Sequence, residues 1–189
     1  MPVPTPEAGA SPTGMPWADA PFVDWLNVAQ QIHERINQAR AQAGLRLLAW
    51  SSELAYLAMT HSNDMARNAY FGHDSATSKD INTRAREGGI SCSNEFNGRL
   101  YTGFSDNLYY IHTWSSKTRV FMGTRANGEE LYINHYDFRD PNSFAEITVR
   151  EWLNSPSHGP NLLVPQGVRH GVGISIGREG RVQITQVQC

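Results

Sequence analysis

A change of period along the chain limits its fold more than any other feature. Val172, Ile174 and Ile176, then Val182, Ile184 and Val187 beyond Glu179-Gly180, are spaced as two adjacent strands. The N-terminal half repeats its apolar residues at three and four instead. Helices first, a strand pair last and extended segments between predict an α+β layered domain, not alternating βαβ units.

Trp25, Val28, Ala29, Ile32, Ile36, Ala39 and Ala43 give the first helix one buried face, with Asp19 as its cap, Pro21 in its first turn and Gly44 as its stop. Leu45 to Trp50 is a short apolar connector. Ser51 or Ser52 opens a second helix through Leu54, Leu57, Ala58, His61, Met65 and Ala69, ending between Asn68 and Gly72. A third is expected over Ser78 to Glu87, closed by Gly88-Gly89. Residues 90–112 read as loop with short extended pieces. Around the turn dipeptide Asn127-Gly128, residues 119–138 read as a hairpin. Ser143 and Glu146 form the pattern of a capping box opening a fourth helix through Trp152.

With 189 residues there is room for one domain and a real core. The formal charge of −2 gives no electrostatic reason to expect nucleic acid. No apolar run approaches the roughly 18 residues of a membrane span. Residues 1–18, rich in Pro, Ala and Gly, are expected to be a disordered leader or linker. They lack the basic start and apolar core of a signal peptide, so an exported chain would have lost its signal already. Cys92 and Cys189 are a disulfide candidate; the alternative is one buried thiol and one frayed terminus.

The functional lead is a pair of histidines at helix ends. Trp152-Leu153-Asn154-Ser155-Pro156-Ser157-His158 runs a helix into a proline break, and Tyr70-Phe71-Gly72-His73 ends another. Either histidine alone can serve its own helix end by bonding orphan carbonyls. Together they can face each other across a cleft. A serine nucleophile at Ser155 or Ser157 needs a positioned base and an oxyanion hole, and adjacency to His158 supplies neither. Asn37, Arg40 and Asp64 read as buried hydrogen-bonding struts. His33 is expected to face water, and His112 and His135 to belong to the hairpin region. Trp114, Tyr109, Tyr110 and Tyr132 suit stacking on a lipid or sugar, or packing of the hairpin.

Asn37-x-x-Arg40, Leu48-x-Trp50, Asp64-Met65, Tyr70-Phe71-Gly72-His73, Asp106-Asn107-Leu108, Ser155-Pro156-Ser157-His158, Asn161-Leu162-Leu163 and Gly171-Val172-Gly173-Ile174 follow one another in a distinctive order. The chain in this respect resembles the CAP superfamily of cysteine-rich secretory, antigen 5 and pathogenesis-related proteins, in its bacterial SCP-like extracellular branch. The resemblance implies an α-β-α sandwich, with helices packed on both sides of a central antiparallel sheet, over residues 19–189. A hairpin at about 113–142 is an addition to that pattern, expected to wall or cover the cleft with His135 and Tyr136 as contacts. It also implies an extracellular or periplasmic location and a cleft formed by His73, His158, Asp106, Asn107 and Ser155. Asp106 stands where the family usually has Glu, and Ser155 where many members have a second acid.

Within that cleft His73, His158 and Asp106 are the candidate ligands of a weakly held divalent cation such as zinc, with His61, His170, Glu146 and Glu151 as accessories. The leading expectation is an exported binding or interaction protein, rather than an enzyme, taking a small ligand, a lipid or a cell-surface protein. The alternatives are a metal-dependent hydrolase of peptide or cell-envelope material, with catalytic residues unassigned, and a structural surface protein with a vestigial cleft.

Overall fold

The structure, a computed structural model, describes residues 21–189. Its helices are α1 (Trp25–Gln42), α2 (Ser52–Asn68), α3 (Ile81–Glu87), α4 (Ser143–Asn154) and α5 (His158–Leu162). The strands are β1 (Ala49–Trp50), β2 (Ser93–Phe96), β3 (Arg99–Thr102), β4 (Ser105–His112), β5 (Trp114–Thr124), β6 (Glu130–Phe138), β7 (Arg169–Ile176) and β8 (Arg181–Gln188). The main sheet has the order β1-β7-β8-β4, antiparallel except for the short parallel pairing of β1 with β7. β2–β3 and β5–β6 are separate two-stranded ribbons.

Helices cover both faces of the sheet. On one, Ile32 and Ile36 of α1 and Phe144, Val149 and Trp152 of α4 meet Val172, Ile174, Val182 and Ile184. On the other, Leu54, Leu57 and Ala58 of α2 and Ile81 and Ala85 of α3 meet Val187 and Cys189. Each such large side chain taken out of water contributes about 1.5–3 kcal/mol. This is the α-β-α sandwich expected from the sequence.

Local rules set the helix ends. Asp24, not Asp19, caps α1, its Oδ1 accepting from Leu26 N and Asn27 N at 3.1 Å each. Pro21 therefore lies before the helix, and Asp19 is outside the described residues. Gly44, at φ +69°, follows the last turn. Ser51 caps α2, and Asp80 caps α3 through Thr83 N at 2.7 Å, so α3 begins at Ile81 rather than Ser78. The capping box at α4 does not form. Ser143 Oγ donates to Asp140 O at 2.7 Å, and Asn142 holds the cap position without a side-chain bond.

Segment 105–112 is a full strand of the main sheet, paired with β8 along its whole length, rather than loop with short extended pieces. A disulfide joins Cys92 to Cys189 across 97 residues of sequence and ties the β2–β3 region to the end of β8. A closed loop of that length stabilises by roughly 4–5 kcal/mol in the chain-entropy account. Asn127-Gly128 turns the β5–β6 hairpin, with Gly128 at φ +85°. The hairpin leaves the sheet at His112, six residues or about 20 Å along β4 from Asp106. It thus starts from the end of the strand remote from the cleft that the sequence expects it to cover.

α2 and β7 approach each other closely. A Cβ on Gly171 would lie 2.0 Å from Ala55 N, and one on Gly173 2.0 Å from Met59 N. No rotamer relieves a clash with backbone. Gly173→Ala is expected to lower stability by about 3 kcal/mol or more, at or above the usual overpacking range. A urea midpoint unchanged from wild type would show that α2 does not rest on this strand.

Candidate functional site

β4 is the free edge of the main sheet, and the cleft forms around its first residues. Asp106 projects from it with a side chain only 6% exposed. His73 comes from the loop after α2; Ala69 ends that helix in the left-handed region at φ 55°, and His61 Nε2–H holds the Gly72 carbonyl at 2.9 Å. Asp64 fixes the same loop by accepting from Tyr70 OH at 2.5 Å and Ala76 N at 2.8 Å. His158 opens α5 on the other side of the strand. Ser155 Oγ accepts from His158 N at 3.3 Å, so this serine shapes the helix start.

The charged centre has three members. His73 Nδ1 meets Asp106 Oδ1 at 2.8 Å, and Arg84 Nη2 donates to Asp106 Oδ2 at 3.0 Å. Arg84 Nη1 also donates to His73 O at 2.6 Å and Lys79 O at 2.9 Å. One guanidinium from α3 thus grips both the carboxylate and the loop that presents the histidine. The bond to Asp106 raises the His73 pKa above its usual value, against the opposing effect of burial. His158 moves the other way, lowered first by burial and then by the charge of His73. The two imidazoles of one cleft are therefore pushed apart in proton affinity.

Among the described residues no group of three or more His, Cys, Asp or Glu is placed to hold a metal ion. Both oxygens of Asp106 are engaged, one by a guanidinium, which leaves two histidines where a catalytic zinc needs three protein ligands. Three of the accessories lie elsewhere, Glu146 and Glu151 pairing with Arg150 on the exposed side of α4 and His170 buried in the core, while the Nε2–H of the fourth, His61, is taken by the Gly72 carbonyl. His135 sits beside Asp137 on the hairpin.

Asn107 does not line the cleft. It is buried, donating to Gln186 Oε1 at 2.8 Å and accepting from Asn161 Nδ2 at 2.9 Å. It belongs to a ladder of polar groups crossing the core. Gln186 Nε2 lies 3.4 Å from His170 Nδ1, and His170 Nε2 lies 2.6 Å from His33 Nδ1. Asn37 continues it, bonding both Leu48 N and Leu48 O. Burial pushes the His170 pKa down to about 3, so it bonds as a neutral ring. His33, expected in water, is half-buried on His170 instead. Arg40, fully buried, donates to the carbonyls of Arg46, Leu162 and Val164 and so anchors the end of α5. Of the three buried struts the sequence suggests, Arg40 is fully buried, whereas Asn37 and Asp64 hold their hydrogen bonds half-buried.

Sequence reasoning misses Arg84 and the His33–His170 pair. Arg84 reads as an ordinary cation in the last turn of a short helix, and only the fold sets it against Asp106. An NMR titration of the ring protons is expected to give His73 a midpoint above 6.5 and His158 one below it. Because the charged form of His73 is the stabilised one, its pairing with Asp106 is complete at low pH and is lost as pH rises through that midpoint. Asp106→Asn should bring the His73 midpoint down. Equal midpoints in the wild type would contradict the geometry.

The family model of the cysteine-rich secretory protein family, CAP, matches residues 33–119. The Bacillus subtilis (strain 168) membrane protein YlbC is 26% identical over 145 residues, 77% of this chain and 31% of its own length. This chain thus spans less than a third of that relative. An extracellular protein containing an SCP domain from Bacillus anthracis aligns with TM-score 0.57 at 24% identity, over 88% of this chain and 44% of that one. An outer surface protein from Borrelia burgdorferi aligns with TM-score 0.54 at 14% identity, over 88% of this chain and 94% of that one. At such identities the structural likeness speaks for the fold alone, and no helix among the described residues is long and apolar enough to cross a membrane. Family model, ordered motifs and fold agree: residues 33–119 match the cysteine-rich secretory protein family, CAP, and the fold is that of bacterial proteins with an SCP domain.

Proposed function

We propose that the protein is an exported CAP-domain binding module whose cleft at the edge of β4 takes a small ligand bearing a carboxylate or phosphate. The observation that carries this reading is the charge around Asp106. Two basic groups, His73 and Arg84, face one carboxylate at 2.8 Å and 3.0 Å. When His73 is protonated, it and Arg84 outweigh the Asp106 carboxylate between them, with the charge of Asp74 also acting on His73, and a cation is disfavoured at Asp106. His73, more than half exposed, presents its second N–H to solvent, and His158 beside it supplies a neutral ring.

The same argument weakens the metal-dependent hydrolase reading, and no step is assigned to a metal. Export is supported by two structural relatives, one an extracellular protein and one an outer surface protein. The Cys92–Cys189 bond agrees, since disulfides persist in oxidising compartments.

Calorimetry at neutral pH with citrate, inorganic phosphate and zinc chloride tests the proposal. Citrate or phosphate is expected to bind, with the double variant His73→Ala, His158→Ala weakening it by about tenfold or more, the worth of a charged hydrogen bond. Affinity should fall as pH rises through the His73 midpoint. Tight zinc binding abolished in the double variant, or no binding of either anion, would overturn the reading.

A further inference from the structure

Beyond the cleft, a continuous band of aromatic rings leads away from it along one face of the molecule. Phe71, two residues before His73, meets Tyr110 edge-on at 5.0 Å. Alternation along β4 puts Tyr110 and His112 on the same face as Asp106. His112 then stacks on Trp114 at 4.4 Å, and Trp114 lies 5.9 Å from Tyr136. A β-bulge between Trp114 and Ser116 accounts for this continuity, because the extra residue re-aims Trp114 toward Tyr136 and Lys117. Farther out, the pairings Lys117↔Tyr136, Arg119↔Asn134 and Phe121↔Tyr132 keep the same face.

Cations sit on this band at intervals. Arg181 lies 4.0 Å from the Tyr110 ring centre, Lys117 5.6 Å from Tyr136 and Arg119 3.8 Å from Tyr132. The rings remain open: Tyr110 is 44% exposed, Phe121 54% and Tyr132 38%. Of the nearby carboxylates Asp137 is turned away, whereas Glu130 shares the face of Tyr132 and Glu179 lies by His112 and Trp114. Asp137 bonds Ser116 and faces His135 on the opposite side of the hairpin, while Glu130 is held by Tyr132 OH at 2.7 Å.

We propose that this band is a binding surface for an extended acidic polysaccharide. Exposed rings repeating along strands, about 6.6–6.8 Å for every second residue, offer stacking faces to successive sugar units. Guanidinium and ammonium groups seated on those rings meet the carboxylates or phosphates of the same chain. Basic residues among aromatic rings also suit an anionic lipid surface, so vesicles of anionic phospholipid join the probes, and a preference for them would overturn the proposal. Three cations on a chain of net charge −2 are few for nucleic acid, where phosphate neutralisation dominates affinity. The surface is distinct from the cleft and does not depend on what the cleft binds.

The test uses the intact protein with polygalacturonate and hyaluronate as acidic probes, dextran as a neutral one, oligothymidylate as a nucleic acid and vesicles of anionic phospholipid. Binding is followed by calorimetry and by tryptophan fluorescence, in which Trp114→Phe identifies the share of Trp114 among the five tryptophans. At least one acidic polysaccharide should bind, dextran should not, and added salt should weaken the interaction. Arg119→Ser with Tyr132→Ser, both exposed on the hairpin, should weaken it by roughly tenfold or more with an unchanged melting temperature. No binding of either acidic polysaccharide, binding indifferent to the double variant, or preference for oligothymidylate would each overturn the proposal.

Discussion

The molecule depends on α2 lying directly on the backbone of β7, which Gly171 and Gly173 allow by having no side chains. From that seat Ser62 Oγ donates to Gly173 O and accepts from Thr185 Oγ1, both at 2.9 Å, pinning the helix across β7 and β8. His61, its neighbour, holds the turn at Gly72. The position of His73 in the cleft is therefore inherited from a glycine contact in the middle of the sheet. On the other face α5 is fixed by Arg40 and by the amide of Asn161, so His158 inherits its place from buried polar groups.

Those polar groups explain why a functional edge can be built on so small a core. A buried amide or imidazole without a partner costs about 1–3 kcal/mol, which forces Asn107, Gln186, His170 and His33 into register with one another. The ladder links the strand carrying Asp106 to α1 on the far side of the sheet. Arg84 performs the corresponding task at the surface, where one side chain neutralises Asp106 and ties down the His73 carbonyl.

The two long helices are legible because Val28, Ala29, Ile32 and Ile36, then Leu54, Leu57, Ala58 and Met65, repeat the helical period without interruption. His73 and His158 are legible through ordered motifs at helix ends. β4 is not, because Asn107 points inward among apolar neighbours and breaks the alternation a strand is recognised by. The same burial removes Asn107 from the cleft where its neighbour Asp106 belongs. His33 escapes for a different reason: helix periodicity places it off the apolar stripe, and nothing local announces that a sheet histidine 137 residues away will cover it. Arg84 escapes in the same way, since pairing with Asp106 is a property of the assembled layers.

The central claim is that Arg84 makes the cleft an anion site by occupying the carboxylate a cation would need. Zinc affinity measured side by side for the wild type and Arg84→Gln, with melting temperatures as a control on folding, tests it directly. The account predicts weak zinc binding by the wild type and binding at least about tenfold tighter by the variant, the equivalent of some 1.4 kcal/mol. Zinc bound as tightly by the wild type as by Arg84→Gln would contradict it.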